Sequence, residues 1–251
     1  METTKELKLA VLIDADNIPY SNVKGMLEEI AKYGTPTFKR IYGDWTKPTL
    51  SGWKTVLLEN AITPIQQYSY TKGKNSSDSA LIIDAMDILY TGAIDGFCII
   101  SSDSDFTRLA TRLREAGKQV FGMGERKTPT PFIASCNKFI YIEILQKEMK
   151  EPAVVSKARK AEPIKKPSAV ESINGELIKL ISDSINDIAE EDGWVFLGVL
   201  GNLILKKQPD FDPRNYGYKK LVDLIKSIEG IELDERPTGK KNVSHFFVRT
   251  R

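Results

Sequence analysis

Histidine and cysteine are almost absent from this chain of 251 residues, which contains one histidine and two cysteines. The histidine, His245, lies near the C-terminus, so a nuclease mechanism that uses paired histidines is excluded and histidine-rich metal ligation is not expected. Cys98 and Cys136 are far apart and form no CxxC motif, which argues against a disulfide framework or a zinc site and indicates packing roles. Any catalysis must therefore rest on carboxylates and a metal, or on lysine and tyrosine.

Long apolar runs and a large net charge are also missing. No run approaches the roughly 20 residues that span a bilayer, and the first apolar run meets an acid too early for a signal peptide. We therefore expect a cytoplasmic protein without a membrane partner. The net charge is only +2, so the molecule as a whole is not a polycation that coats nucleic acid. Basic residues and prolines do collect in residues 147–169, which predicts a flexible basic linker.

Strand-like and helix-like stretches alternate before this linker. KLAVLID and GFCII are apolar at nearly every position, as central strands covered on both faces are. The alternation predicts an α/β domain over residues 1–146, with a mostly parallel sheet and helices on both faces. Its first helix is expected to begin near Pro19, and one of its strands is expected over ITPIQQYSY. After the linker, three helical stretches, the last over NYGYKKLVDLIKSIEG, and a terminal hairpin predict a small winged-helix-like domain over residues 170–251.

Carboxylates stand where the strands of the first domain end. Asp14 and Asp16 close the first strand, Asp103 and Asp105 follow GFCII, and Asp78 falls in the first turn of a helix. An open α/β sheet keeps its ligand crevice at this edge. Acids that share one small volume repel each other, so a cation or a raised pKa must offset the repulsion.

Mg²⁺ and Mn²⁺ prefer oxygen ligands and leave coordination positions for a phosphate, so carboxylates alone suit them. Each acid taken singly is better explained as a turn or helix-cap residue. The set of four, Asp14, Asp78, Asp103 and Asp105, instead predicts a metal site. Only one acid of the pair at positions 14 and 16 need enter the crevice. Asp84 lies about 120° around the helix from Asp78 and is expected to be a neighbour of the site rather than a member.

Four motifs occur in order in the first domain: VLIDADNI, YGDW, KNSSDSALIIDAMD and IISSDSDFTRL. In combination they resemble the NYN domain, a PIN-like nuclease family that includes the LabA-like proteins. The resemblance implies a PIN-like fold and metal-dependent cleavage of RNA, with an endonuclease as the expected mode. It also implies that Asp14, Asp78 and Asp103 bind Mg²⁺ or Mn²⁺, and it gives Asn17 and Asp105 supporting catalytic roles.

The segment FDPRNYGYKKLVDLIKSI and the hairpin after it resemble the OST-HTH module, also called LOTUS, which binds RNA or protein. The expected partners are therefore RNA, in single-stranded form, and possible protein partners of this module. Basic and aromatic residues supply the candidate RNA contacts, although a lone surface lysine or arginine is more often simply solvated. The candidates are Lys72, Lys74 and Arg108 near the acids, and Arg214, Tyr216, Tyr218, Lys219, Lys220, Lys240 and Lys241 in the C-terminal module.

Two other functions stay open at this level. IDADN is similar to the DxD nucleophile motif of HAD-type phosphatases, although SSDSD fits the paired-acid motif of that family poorly. The chain could also be a non-catalytic RNA-binding or scaffold protein whose acids hold a metal without turnover.

Overall fold

The computed structural model describes residues 6–68, 76–148, 171–238 and 244–251. The chain divides into two compact units, Met1–Ala153 and Val154–Arg251. No helix in these described ranges is long and apolar enough to cross a membrane. The predicted linker falls almost wholly outside the described residues.

The first unit is built on a six-stranded parallel sheet with the strand order β3-β2-β1-β4-β5-β6. Its strands are β1 (Lys8–Asp14), β2 (Thr35–Gly43), β3 (Thr63–Gln66), β4 (Gly96–Ile100), β5 (Gln119–Gly124) and β6 (Lys138–Tyr141). Its helices are α1 (Val23–Ile30), α2 (Trp53–Asn60), α3 (Ser76–Thr91), α4 (Thr107–Glu115), α5 (Thr130–Ser135) and α6 (Ile142–Glu148).

Helices cover both faces of this sheet, as predicted. Along β1, Leu9, Val11 and Ile13 belong to one apolar core, and Ala10 and Leu12 belong to another. Because successive side chains of a strand point to opposite faces, the two cores lie on opposite sides of the sheet. Helices α1, α2 and α6 pack into the first core, and α3, α4 and α5 pack into the second. This arrangement fits the PIN-like α/β fold expected from the sequence.

Two predicted elements of this unit are shorter in the structure. The helix expected to begin near Pro19 starts as a 3₁₀ turn, Tyr20–Asn22, and becomes α-helical at Val23. Of the strand expected over ITPIQQYSY, Thr63–Gln66 form β3, Gln67 and Tyr68 are not in a strand, and the last two positions lie outside the described residues. Pro64 lies in β3, which pairs with β2 at the edge of the sheet. Proline has no N–H to donate to a second neighbouring strand, so an edge strand tolerates it where a central strand would not.

Within residues 171–238 and 244–251, the second unit has three α-helices and a small antiparallel sheet of order β7-β9-β8, which confirms a winged-helix-like domain. Its elements are α7 (Gly175–Ile188), β7 (Val195–Phe196), α8 (Leu197–Lys207), α9 (Leu221–Lys226), β8 (Ile231–Pro237) and β9 (Ser244–Thr250). Ile181, Leu200, Leu224 and Val248 are fully buried in its core.

The helix predicted over NYGYKKLVDLIKSIEG was too long, because the chain turns before the helix begins. Residues Pro213–Tyr216 form a 3₁₀ turn that the Asp212 side chain caps, and Gly217 follows in the left-handed conformation with φ of 86°. A left-handed residue ends a helix, and glycine adopts that conformation without steric cost. The α-helix therefore starts only at Leu221.

Candidate metal centre

The candidate site lies where β1 and β4 run side by side. The strand next to β1 on its other side is β2, and the strand next to β4 on its other side is β5, so the direction of winding reverses between β1 and β4. Such a switch point opens a crevice at the carboxyl ends of the strands. Asp14 is the last residue of β1, and the SSDSD segment begins directly after Ile100 at the end of β4.

Three acids converge in this crevice. Asp78, Asp103 and Asp105 each offer a carboxylate oxygen, and these oxygens lie within 4.8 Å of one another. Asp78 is in the first turn of α3 and is only 7% exposed. Asp103 caps the 3₁₀ turn Ser104–Phe106, and one of its oxygens accepts a hydrogen bond from the backbone N–H of Asp105 at 2.9 Å. This turn brings the acids at positions 103 and 105 to the same place.

Asp14 is buried beside this cluster and is not a member of the group of three. Its Oδ2 accepts hydrogen bonds from Asn17 Nδ2 at 2.5 Å and from the Ser101 hydroxyl at 2.8 Å, and its Oδ1 accepts one from the Asp16 N–H at 3.2 Å. The Ser101 hydroxyl oxygen also accepts a hydrogen bond from the N–H of Asp103 at 3.1 Å. Ser101 thus connects the end of β1 to the turn that carries the clustered acids.

The acids disfavour one another's charges. The pKa of Asp78 is raised to about 7, first by burial and then by the negative charges of Asp14, Asp103, Asp105 and Asp16. Burial also raises the pKa of Asp14, against the opposing effect of its hydrogen bonds from Asn17 and Ser101. A cation bound among these oxygens would offset the repulsion.

The family of the chain follows from its sequence together with this fold. The family model of the NYN domain matches residues 8–143. This chain belongs to the NYN family. A second family model, that of the OST-HTH/LOTUS domain, matches residues 169–243. The NYN domain indicates a PIN-like nuclease, and the OST-HTH module is of an RNA-binding kind.

Solved structures resemble parts of this NYN protein. A protein of unknown function from Vibrio parahaemolyticus is 20% identical, with a TM-score of 0.47, and the match covers 57% of this chain and 96% of that one. An uncharacterised protein from Nitrosomonas europaea is 30% identical, with a TM-score of 0.29, and the match covers 38% of this chain and 92% of that one. No curated protein matches the NYN protein.

The sequence predicts that Asp14 binds the metal and that Asp105 has a supporting role. In the NYN domain, the group of three clustered carboxylates contains Asp105 and not Asp14. The prediction from the sequence also missed two partners of Asp16. The Asp16 carboxylate accepts a hydrogen bond from the Ser77 hydroxyl at 3.2 Å and lies 3.6 Å from the Lys47 ammonium. Ser77 directly precedes Asp78, which was an available signal, but nothing in the sequence indicates that Lys47 would meet Asp16.

Asp84 is outside the cluster, as expected from its position on α3. Its carboxylate accepts hydrogen bonds from the Tyr42 hydroxyl and from the Arg40 guanidinium, with which it forms an ion pair. Both partners belong to β2, so this contact ties α3 to the sheet. Because α3 also carries Asp78, the contact helps to fix the helix that delivers this acid to the site.

The residues predicted to contact RNA fall into three groups: some are not described, some are exposed, and some are held against their own domain. Lys72, Lys74, Lys240 and Lys241 lie outside the described residues. Arg108 is exposed on α4, and Lys219 and Lys220 are exposed just before α9. The Arg214 guanidinium donates to both carboxylate oxygens of Asp212 at 3.0 and 2.8 Å, and Tyr216 and Tyr218 pack against the core of the second unit.

Replacing Ser101 with alanine is expected to slow the RNA cleavage proposed below about tenfold, the effect typical of losing a group that orients metal ligands. The change removes the hydroxyl that joins Asp14 to Asp103, and it leaves a buried carboxylate with one fewer donor. The free energy of unfolding should fall by about 1–3 kcal/mol. Urea unfolding and a single-turnover cleavage assay measure the two effects. Ser104→Ala, in the same motif but exposed, is the matched control, and equal behaviour of the two variants would contradict the role of Ser101.

Proposed function

We propose that this protein is a Mg²⁺- or Mn²⁺-dependent endoribonuclease that cleaves single-stranded RNA in its NYN domain. The observation that carries the proposal is the meeting of Asp78, Asp103 and Asp105 at the switch point of the sheet. In this proposal residues 1–146 form the catalytic domain, residues 147–169 a linker, and residues 170–251 a module that holds RNA or a protein partner. The linker raises the concentration of held RNA near the catalytic domain.

The residues present fit a hard divalent cation. All three members of the group are carboxylates, and their oxygens are close enough to share one ion. The pKa of Asp78 is raised first by burial and then by the negative charges of the neighbouring acids, and a bound cation would offset the second effect. Asp78, Asp103 and Asp105 would hold the ion. When bound, it would stabilise negative charge on the phosphate oxygens and favour ionisation of an attacking water.

The surrounding residues of the chain position these ligands. Asn17 and Ser101 hold the carboxylate of Asp14, and Ser101 at the same time holds the N–H of Asp103. Asp103 in turn orients the turn that carries Asp105. This sequence of hydrogen bonds fixes the acids before substrate arrives, which lowers the cost of organising the site during the reaction.

The phosphatase alternative is not favoured by the geometry. A HAD-type reaction would use Asp14 of IDADN as a nucleophile that attacks a phosphate. In the structure Asp14 is 1% exposed, and its Oδ2 is occupied by hydrogen bonds from Asn17 and Ser101. A carboxylate held in this way is built to support its neighbours rather than to attack a phosphorus atom.

The test is to incubate the purified full-length protein with circular single-stranded RNA in Mn²⁺, in Mg²⁺ or in EDTA. We expect linear products with either ion and none in EDTA, because only an endonuclease can open a circle. Circular single-stranded DNA of the same sequence is the comparison that establishes the preference for RNA. If no RNA is cut and RNA binding is equal with and without metal, the non-catalytic RNA-binding or scaffold alternative is correct.

A further inference from the structure

One face of the sheet in the second unit carries aromatic side chains that the core does not use. Along β9 the side chains alternate, and Val248 is fully buried while Phe246 packs on the core. His245 and Phe247 therefore point to the opposite face. Phe196 of β7 is paired with Phe247, lies on that same face, and is 39% exposed.

These rings contact one another. The ring centroid of Phe196 is 5.1 Å from that of His245 and 5.7 Å from that of Phe247, within the range of favourable aromatic pairs. Gly198 leaves room for this arrangement, since a Cβ at that position would approach the Phe196 ring to 2.8 Å. Together with the groups described next, they form what we call the aromatic–arginine surface, which comprises Trp194, Phe196, Arg236, His245, Phe247 and Arg249.

Two guanidinium groups extend the series of rings. The Arg236 guanidinium carbon lies 4.1 Å from the ring centroid of Phe247 and 5.5 Å from that of Trp194. The guanidinium carbon of Arg249 lies 4.6 Å from the Trp194 ring centroid on the same face of the sheet. The surface is thus continuous. Arg236 lies between the rings of Phe247 and Trp194, and Arg249 contacts the Trp194 ring as well.

Two acids of β8 hold the arginines in place. Arg236 Nε donates to Asp234 at 2.8 Å, and Arg249 Nε donates to Glu232 at 2.6 Å, with Arg251 Nε also 3.4 Å from Glu232. A guanidinium has five N–H donors in a planar fork, so an arginine fixed through Nε can also donate to a phosphate. On this face of β8 and β9, three arginines stand against the two acids Glu232 and Asp234.

We propose that the aromatic–arginine surface binds single-stranded RNA, with bases stacked on Phe196 and His245 and phosphates contacted by Arg236 and Arg249. The inference rests on the proposed function in taking RNA as the ligand, and it assigns the contact to this face of the sheet. Exposed rings beside fixed cations match what unpaired nucleotides offer, since every base has a stacking face and every linkage has a negative charge. An exposed group of aromatic rings on a soluble domain indicates a binding surface.

Three of the residues first suggested as RNA contacts suit this role less well. Arg214 is 15% exposed and is held by Asp212, and Tyr216 and Tyr218 pack on the core. A base needs an exposed ring to stack on, and Phe196 provides one.

The experiment measures fluorescence anisotropy of a labelled 12-nucleotide RNA with the full-length protein in EDTA, so that cleavage does not interfere. Phe196→Ala and His245→Ala are each expected to weaken binding about tenfold, the usual effect of losing one stacked base. Phe196→Leu keeps an apolar side chain without the ring and should weaken binding similarly, whereas Phe196→Tyr should bind like the unaltered protein. Val199→Ala is the matched control, since Val199 is 51% exposed in the same unit and does not belong to the surface.

An oligomer of equal length that lacks bases separates stacking from charge. We expect the unaltered protein and Phe196→Ala to bind it equally. Unchanged RNA affinity in Phe196→Ala and His245→Ala, an equal loss of affinity for the baseless oligomer, or binding of duplex as tight as that of single strands would each overturn the inference. Cleavage of circular RNA in Mn²⁺ is scored separately, so the proposed nuclease can stand when this surface fails, and the surface can stand when the nuclease fails.

Discussion

Asp103→Asn is expected to reduce Mn²⁺-dependent RNA cleavage by roughly 1,000-fold, as loss of an essential catalytic group does. The change removes one of three negative charges that face the proposed cation. It should leave the fold intact, because asparagine caps a helical turn as well as aspartate does and can still accept the hydrogen bond from the Asp105 N–H. Cleavage of circular RNA at saturating Mn²⁺ measures the effect, and circular dichroism checks the fold.

Asp87→Asn is the matched control for this variant. It makes the same chemical change at an exposed position of α3 and should leave cleavage unaltered. Full activity of Asp103→Asn would remove this acid from the proposed metal site. Loss of activity in both variants would mean that net charge, rather than ligation, governs the assay.

Asp78→Asn is expected to abolish cleavage and at the same time to stabilise the metal-free protein. The pKa of Asp78 is about 7 in the folded state, against about 3.9 for an unperturbed aspartate. The folded state therefore binds this proton more tightly than the unfolded state. The resulting stabilisation is fully present below pH 4 and is lost as the pH rises through 7. At pH 8 the folded protein bears the cost of the charge, which is of the order of 4 kcal/mol.

Calorimetric scans in EDTA at pH 5 and pH 8 measure this effect. At pH 8 the variant should melt roughly 5–10 °C above the unaltered protein, and the difference should shrink at pH 5, where Asp78 is already protonated in the folded state. Adding Mn²⁺ should raise the melting temperature of the unaltered protein much more than that of Asp78→Asn, because a ligand stabilises only the state that binds it. A lower melting temperature of the variant at pH 8 would contradict the electrostatic cost assigned to Asp78.

The sequence was most informative where one physical requirement dominated. β1 and β4 are apolar at nearly every position, which only a strand covered on both faces requires, and both are buried as predicted. The extended helix prediction around Tyr216 was wrong because Gly217 and the cap at Asp212 end the regular structure locally, and helical periodicity does not register such a turn. Helical periodicity therefore predicted the existence of α9 correctly and its first residue wrongly.

The candidate site was likewise predictable in part: the sequence identified the acids but not their arrangement. The acids could be found because they follow strand ends, but their mutual distances depend on contacts between elements far apart in the chain. The 3₁₀ turn after Asp103 brings Asp105 to Asp78, and the rotamer of Ser101 joins Asp14 to this turn. The contact between Lys47 and Asp16 depends on how the segment after β2 passes the end of β1. No local pattern contains that information.

The strand order has a consequence for the protein during its synthesis. β1 pairs with β4, and the whole of β2, β3 and α3 lies between them in the chain. The proposed centre needs Asp78 from that intervening segment and Asp103 and Asp105 from beyond β4, so it cannot form until most of the first unit has left the ribosome and folded. The proposed metal centre is therefore completed late in the synthesis of the first unit, once β4 and the turn that follows it have been made.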